Sequence, residues 1–181
     1  MSETPTATST TTRATRWLDR DQQASWRAFL AGSTRLFERL DRDLRVHCGI
    51  ALPEYEVLVR LSEAPDHRLR MAELATSLAH SRSRVTHTVA RLERLGAVVR
   101  TACPTDGRGV VAELTGDGWE LIVAADPLHV RGVRAYLVDV AAPDDLAAMG
   151  RVFQAAADRL GSDQFGSDGQ GVGDQSRVSR R

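Results

Sequence analysis

The stretch from Ser81 to Leu114 constrains this chain more than any other. Its first part runs Ser81-Arg82-Ser83-Arg84-Val85-Thr86-His87-Thr88-Val89-Ala90-Arg91-Leu92-Glu93-Arg94-Leu95, with Val85, Val89 and Leu92 at i, i+4 and i+7. That spacing puts three apolar side chains on one face of a helix and turns Arg84, Thr86, His87, Ala90, Arg91 and Arg94 elsewhere. Ser81 is placed to cap the helix, because its hydroxyl can accept from a backbone N–H of the first turn. Gly96 follows the last periodic residue and can take the left-handed conformation that stops a helix. Val98 to Thr101 and Val110 to Leu114 then read as short strands. Pro104-Thr105-Asp106-Gly107-Arg108-Gly109 turns between them.

A helix followed by a basic-tipped ribbon suits duplex DNA. The major groove admits one α-helix and presents the hydrogen-bonding edges of the bases to it. Arg82, Ser83, Arg84, Thr86 and His87 are the candidates for base and phosphate contacts, and Arg91 for a phosphate. On the ribbon tip, Arg108 can reach the adjacent minor groove, and Asp106, two residues before it, can aim it. Six arginines (82, 84, 91, 94, 100, 108) face three acids (Glu93, Asp106, Glu113) in this stretch, a formal +3. The bland alternative is an exposed amphipathic helix beside an ordinary hairpin, with Asp106 a turn residue and Arg108 solvated. The order helix, glycine, ribbon favours nucleic acid.

The rest of the chain narrows the classes. Net charge over all 181 residues is zero, so the local distribution carries the argument. All 24 basic residues are Arg, which excludes a P-loop lysine and a Schiff-base lysine. There is no apolar run long enough for a membrane span and no apolar signal-peptide core, and two cysteines make no disulfide framework; the expected compartment is the cytoplasm. Ser81 and His87 with an acid mimic a hydrolase inventory, but no nucleophile elbow accompanies them, so no enzyme is expected. His47 beside Cys48 lacks the spacing of a metal site, and no metal or other cofactor is expected.

Residues 1–16 read as a Thr-rich disordered tail and residues 161–181 as a Gly-rich flexible one. Between them, Asp19 and Gln22 have capping-box spacing before a helix reaching about Cys48, roughly 45 Å long at 1.5 Å per residue. Pro53 suits the first turn of a helix to Glu63, and Pro65 ends it. Leu69 to Met71 reads as a brief extended piece, Ala72 to Leu78 as a helix, and Ala79-His80 as the tight turn before Ser81, which together make a helix-turn-helix. Thr115 can cap a helix to about Val140, with a kink or break expected at Pro127. A last helix spans Pro143 to Leu160. The expected fold is mainly α with a small β-wing: a DNA-binding lobe over 52–114 within a domain over 17–160.

This order resembles the MarR family of winged helix-turn-helix transcriptional regulators. The resemblance rests on Leu52-Pro53-Glu54-Tyr55-Glu56-Val57-Leu58, Arg70-Met71-Ala72-Glu73-Leu74-Ala75, Ser81-Arg82-Ser83-Arg84-Val85-Thr86, Arg91-Leu92-Glu93, the wing Asp106-Gly107-Arg108-Gly109, and Leu114-Thr115. Ala72 departs from the pattern, since the family often has a capping Ser or Thr there. The resemblance implies a homodimer built from long terminal dimerisation helices, 17–48 and 115–160. It implies a transcription factor, most often a repressor, on a near-palindromic double-stranded DNA operator. It also implies a small, often aromatic, effector entering a cleft between the dimer helices and the DNA-binding lobe. Trp26, His47 and Tyr55 are candidates to line that cleft, against plain core packing for each. Two alternatives stay open: a winged-helix module that docks protein, and a regulator sensing oxidants through Cys48 or Cys103, which needs an exposed thiol of low pKa.

Overall fold

The structure is a computed structural model that describes residues 15–103 and 109–166, with side chains through Gly161. The wing tip carrying Asp106 and Arg108 lies outside the described residues. Helix α1 spans Arg20–Cys48, α2 Leu52–Glu63, and a 3-10 turn Pro65–His67 leads into strand β1, Arg68–Arg70. Helices α3 (Met71–Ser77) and α4 (Arg82–Arg94) follow, then strands β2 (Val98–Ala102) and β3 (Val110–Leu114). Helix α5 covers Gly116–Tyr136, a 3-10 turn Val138–Val140, and α6 Pro143–Gly166. The strands form one antiparallel sheet in the order β1-β3-β2, with Arg70 opposite Val111 and Thr101 opposite Val111 on its other edge.

The described residues up to Arg39 form one unit. Its helix starts on the expected box: the Gln22 N–H donates to Asp19 Oδ1 at 2.8 Å, and the Asp19 N–H donates to Gln22 Oε1 at 3.1 Å. The two bonds satisfy donors that a helix start leaves orphaned. Trp26, Phe29, Leu30 and Phe37 are exposed on it, with the Trp26 and Phe29 rings 5.5 Å apart.

The second unit begins at Leu40 and holds the core. Leu44, Ile50, Val57, Leu58, Leu61, Leu74, Val85, Val89 and Leu92 are fully buried there. Each such side chain contributes about 1.5–3 kcal/mol of apolar burial. The helix-turn-helix and the sheet pack around this core.

Several boundaries differ from the sequence reading. Strand β1 starts at Arg68, and α3 starts at Met71 behind Arg70, whose N–H donates to Glu73 Oε2 at 3.2 Å. That bond supplies half of a capping box, while Ala72 stands inside the helix and Arg70 has no side-chain acceptor to give. Of the kink or break expected at Pro127, the break is absent: helix α5 runs through that residue. Proline removes the N–H that the Val123 carbonyl would accept from, and Val123 is 60% exposed, so water can take that place. Helix α6 continues to Gly166, six residues into the segment expected to be a tail. Among the described residues, no helix is long and apolar enough to cross a membrane.

Candidate nucleic-acid interface

Helix α4 begins as its sequence requires: Ser81 Oγ accepts from the Arg84 N–H at 3.3 Å. Val85, Val89 and Leu92 are buried. At about 100° per residue, Ser83, His87, Ala90 and Arg94 fall within roughly 60° of one another, opposite that buried face. Ser83, His87 and Arg94 are exposed, and Ala90 is half-buried. Two flanks border this outward strip. Arg82, Thr86 and Glu93 form the flank toward the sheet, and Arg84, Thr88 and Arg91 the flank toward α2.

The flank toward the sheet is tied down at its far end. Glu93 accepts from Arg100 Nε at 2.8 Å and from the Arg100 backbone N–H at 3.1 Å, with Arg100 Nη2 at 2.6 Å. The Arg100 guanidinium holds the Glu93 carboxyl below its usual range. Arg82 and Thr86 face Arg70, Met71, Ala72, Arg100, Gly109 and Val110 across a cleft of about 370 Å³. Thr86 Oγ1 donates to the Arg82 carbonyl at 2.8 Å, so its proton is used within the helix, and its lone pairs and methyl group remain for a partner.

The flank toward α2 is different. Arg91 Nε lies 2.7 Å from Glu54 Oε1, and the Glu54 side chain is almost wholly buried. The expectation that Arg91 reaches for a phosphate meets this prior commitment of its Nε. Beyond that pair, Arg82, Arg84 and Arg94 have no acidic partner among the described residues. Three free guanidinium groups on one short exposed helix make a cationic surface suited to a polyanion.

Arg94, which is not among the candidates named from the sequence, sits in the middle of the outward strip. Its place in the 3.6-residue period, opposite Val85, Val89 and Leu92, is the signal by which the sequence could have added it to them.

The helix stops at Leu95, and Gly96 takes φ +74° as expected. Thr115 then joins the end of α4 to the start of α5. Its Oγ1 donates to the Gly96 carbonyl at 2.7 Å and accepts from the Gly118 N–H at 3.1 Å.

The three effector candidates fall in both units. Trp26 lies exposed in the first unit, and His47 is exposed near the end of α1. Tyr55 is core: it is buried, its hydroxyl donates to Asp126 Oδ1 at 2.8 Å, and its ring lies 4.6 Å from that of His129. It lines a cavity of about 350 Å³ with Glu56, Val59, Arg60, Glu63, Ser77, Leu78, His80 and His129. Burial pushes the half-buried Cys48 thiol up, away from the thiolate a redox sensor needs, and Cys103 is buried. Among the described residues, no group of three or more His, Cys, Asp or Glu could hold a metal ion.

The model of the MarR family matches residues 49–109, the segment from the end of α1 to the wing. The HTH-type transcriptional repressor Rv2887 of Mycobacterium tuberculosis is 32% identical over 115 residues, which covers 64% of this chain and 78% of the relative. Sco3205, a MarR family transcriptional regulator from Streptomyces coelicolor solved in complex with DNA, is 40% identical with a TM-score of 0.78, covering 81% of this chain and 92% of that one. This chain belongs to the MarR family. AbsC, another MarR family transcriptional regulator from Streptomyces coelicolor, is 37% identical with a TM-score of 0.77, over 82% of this chain and 99% of that one. As a MarR-family transcriptional regulator, the chain carries its winged helix-turn-helix on β1 to β3, α3 and α4.

Proposed function

We propose that this transcriptional repressor reads duplex DNA through the outward face of α4, with the wing following the neighbouring minor groove. The observation that carries the reading is the exposed strip Ser83, His87 and Arg94, bordered by the unpaired Arg82 and Arg84. Arg82, Ser83, Arg84, Thr86, His87 and Arg94 contact bases and phosphates; Arg91 adds charge from a fixed position; Asp106 aims Arg108. Net neutrality of the whole chain does not oppose this, because the one acid on α4, Glu93, is paired with Arg100.

The repressor works as a homodimer in the cytoplasm. Trp26, Phe29, Leu30 and Phe37 on α1, and Val152, Phe153 and Leu160 on α6, are large apolar side chains exposed in a single chain. So much apolar surface marks an interface. A twofold arrangement sets two reading helices about 34 Å apart, one DNA turn, and matches a near-palindromic operator. A small, often aromatic, effector releases the operator by binding one dimer conformation better than the other. Family membership supports that last step.

The deciding experiment is selection of duplexes from a random pool by the full chain, followed by mobility shifts on the selected sequence. Arg84→Ala and Arg94→Ala are each expected to lower affinity, by about 1–3 kcal/mol where a base contact is lost. If Arg84→Ala, Thr86→Ala and Arg94→Ala all bind as the wild type does, α4 is not the reading element.

A further inference from the structure

Two carboxylates meet at the start of α2. Glu54, only 3% exposed, accepts from the Ala51 N–H on Oε2 at 2.6 Å and holds Arg91 Nε at 2.7 Å from Oε1. Asp41 on α1 accepts from the next N–H, that of Leu52, on Oδ1 at 2.8 Å, and takes Arg45 Nε on Oδ2 at 2.6 Å. Adjacent backbone N–H groups are therefore gripped from two elements, and Glu54 carries the grip on to α4. A buried carboxylate keeps its charge only while it is paired and hydrogen-bonded. Any rotation of α4 that parted Arg91 from Glu54 would strand that charge.

Arg91 lies seven residues after Arg84, two helical turns along the same flank. Clamping Arg91 therefore sets which way Arg84 and the neighbouring outward strip face. We infer that Glu54 is a positioning residue for DNA reading: through Arg91 it fixes the rotation of α4 against the start of α2, and Asp41 extends the tie to α1. This rests on α4 being the DNA-reading helix. Base readout depends on bidentate geometry that a small rotation spoils, whereas non-specific attraction depends mainly on charge.

The test uses the full chain, a duplex it selects from a random pool, and an unrelated duplex of equal length. Affinities for both are measured by fluorescence anisotropy for Glu54→Gln, Arg91→Gln and the double variant, at a temperature where circular dichroism shows each folded. Glu54→Gln is expected to lose on the order of tenfold on the selected duplex. Its binding to the unrelated duplex stays within about twofold of the wild type. The double variant loses no more than Arg91→Gln alone, because Glu54 acts through Arg91. Equal losses on both duplexes, or losses that add in the double variant, overturn the positioning role.

If Glu54→Gln does not fold, Arg91→Lys decides, since it leaves a cation beside Glu54 but no rigid fork. It is expected to lose selected-duplex affinity to the same order with an unchanged salt slope, and wild-type affinity overturns the proposal. A wild-type chain that selects no duplex removes the DNA reading, and the positioning role with it. A chain that selects well while Glu54→Gln binds normally removes the positioning role alone.

Discussion

Gly118 lies so close to Ala97 that a Cβ on it would stand 2.1 Å from the Ala97 carbonyl oxygen. That oxygen also accepts from the Thr115 N–H at 3.1 Å, so the first turn of α5 is pressed onto the backbone that leaves α4. Neither backbone segment can yield as a flexible side chain would. Gly118→Ala is expected to destabilise the fold by about 2 kcal/mol or more. Gly116→Ala, where an added Cβ meets nothing within 4 Å, is expected to stay within about 0.5 kcal/mol of the wild type. Urea denaturation checks both: the midpoint falls for the first variant only.

Stability is expected to fall in mild acid. Burial pushes the pKa of His129 down, against the opposing charge of Asp126. Burial and the Arg84 charge push His80 down, against Glu56. The unfolded chain takes up these protons near pH 6.5, while the folded chain resists them to lower pH. The contribution is therefore complete above about pH 6.5 and is lost as the pH falls from there through the folded-state values. Melting temperatures from pH 8 to pH 5 should show the decline, and His129→Leu should make it shallower. An equal decline in His129→Leu would assign it to other groups.

The wing yields a test on residues beyond the described part of the structure. Arg108→Ala is expected to weaken binding to many sequences and to reduce the salt slope by about one per subunit. Asp106→Ala is expected to weaken binding too, although it removes a negative charge near DNA. Charge counting alone predicts the opposite sign for that variant. Tighter binding by Asp106→Ala at fixed salt would show that the aspartate does not position the arginine.

The dimer can be broken from α6. Val152 and Leu160 are largely exposed in the single chain, so Val152→Glu with Leu160→Glu should leave the protomer fold intact by circular dichroism. Light scattering at micromolar concentration is expected to give twice the chain mass for the wild type and the single mass for the variant. A monomeric wild type would rule out the dimer.

Much of α4 was legible in the sequence because its determinants are local. Burial of Val85, Val89 and Leu92 follows from helical period, the Ser81 cap from a hydroxyl at the right offset, and the stop at Gly96 from its freedom to adopt φ +74°. The same holds for Asp19 with Gln22 and for Thr115 before α5. Such signals lie within a few residues of one another, so tertiary packing need only leave them alone.

What each polar side chain does once the helices have packed was decided by the tertiary structure. Arg91 and Arg94 look alike in the sequence, yet one is held by a buried carboxylate on α2 and the other projects from the outward face. Tyr55, a plausible cleft residue by type, spends its hydroxyl on Asp126 of α5. Gly118 looks like an ordinary helix-start residue until the Ala97 carbonyl comes against it. An ion pair or a close approach depends on the distance between groups far apart along the chain. Local period and composition do not contain that distance; it exists only when the hydrophobic core has set the helices at fixed angles and separations.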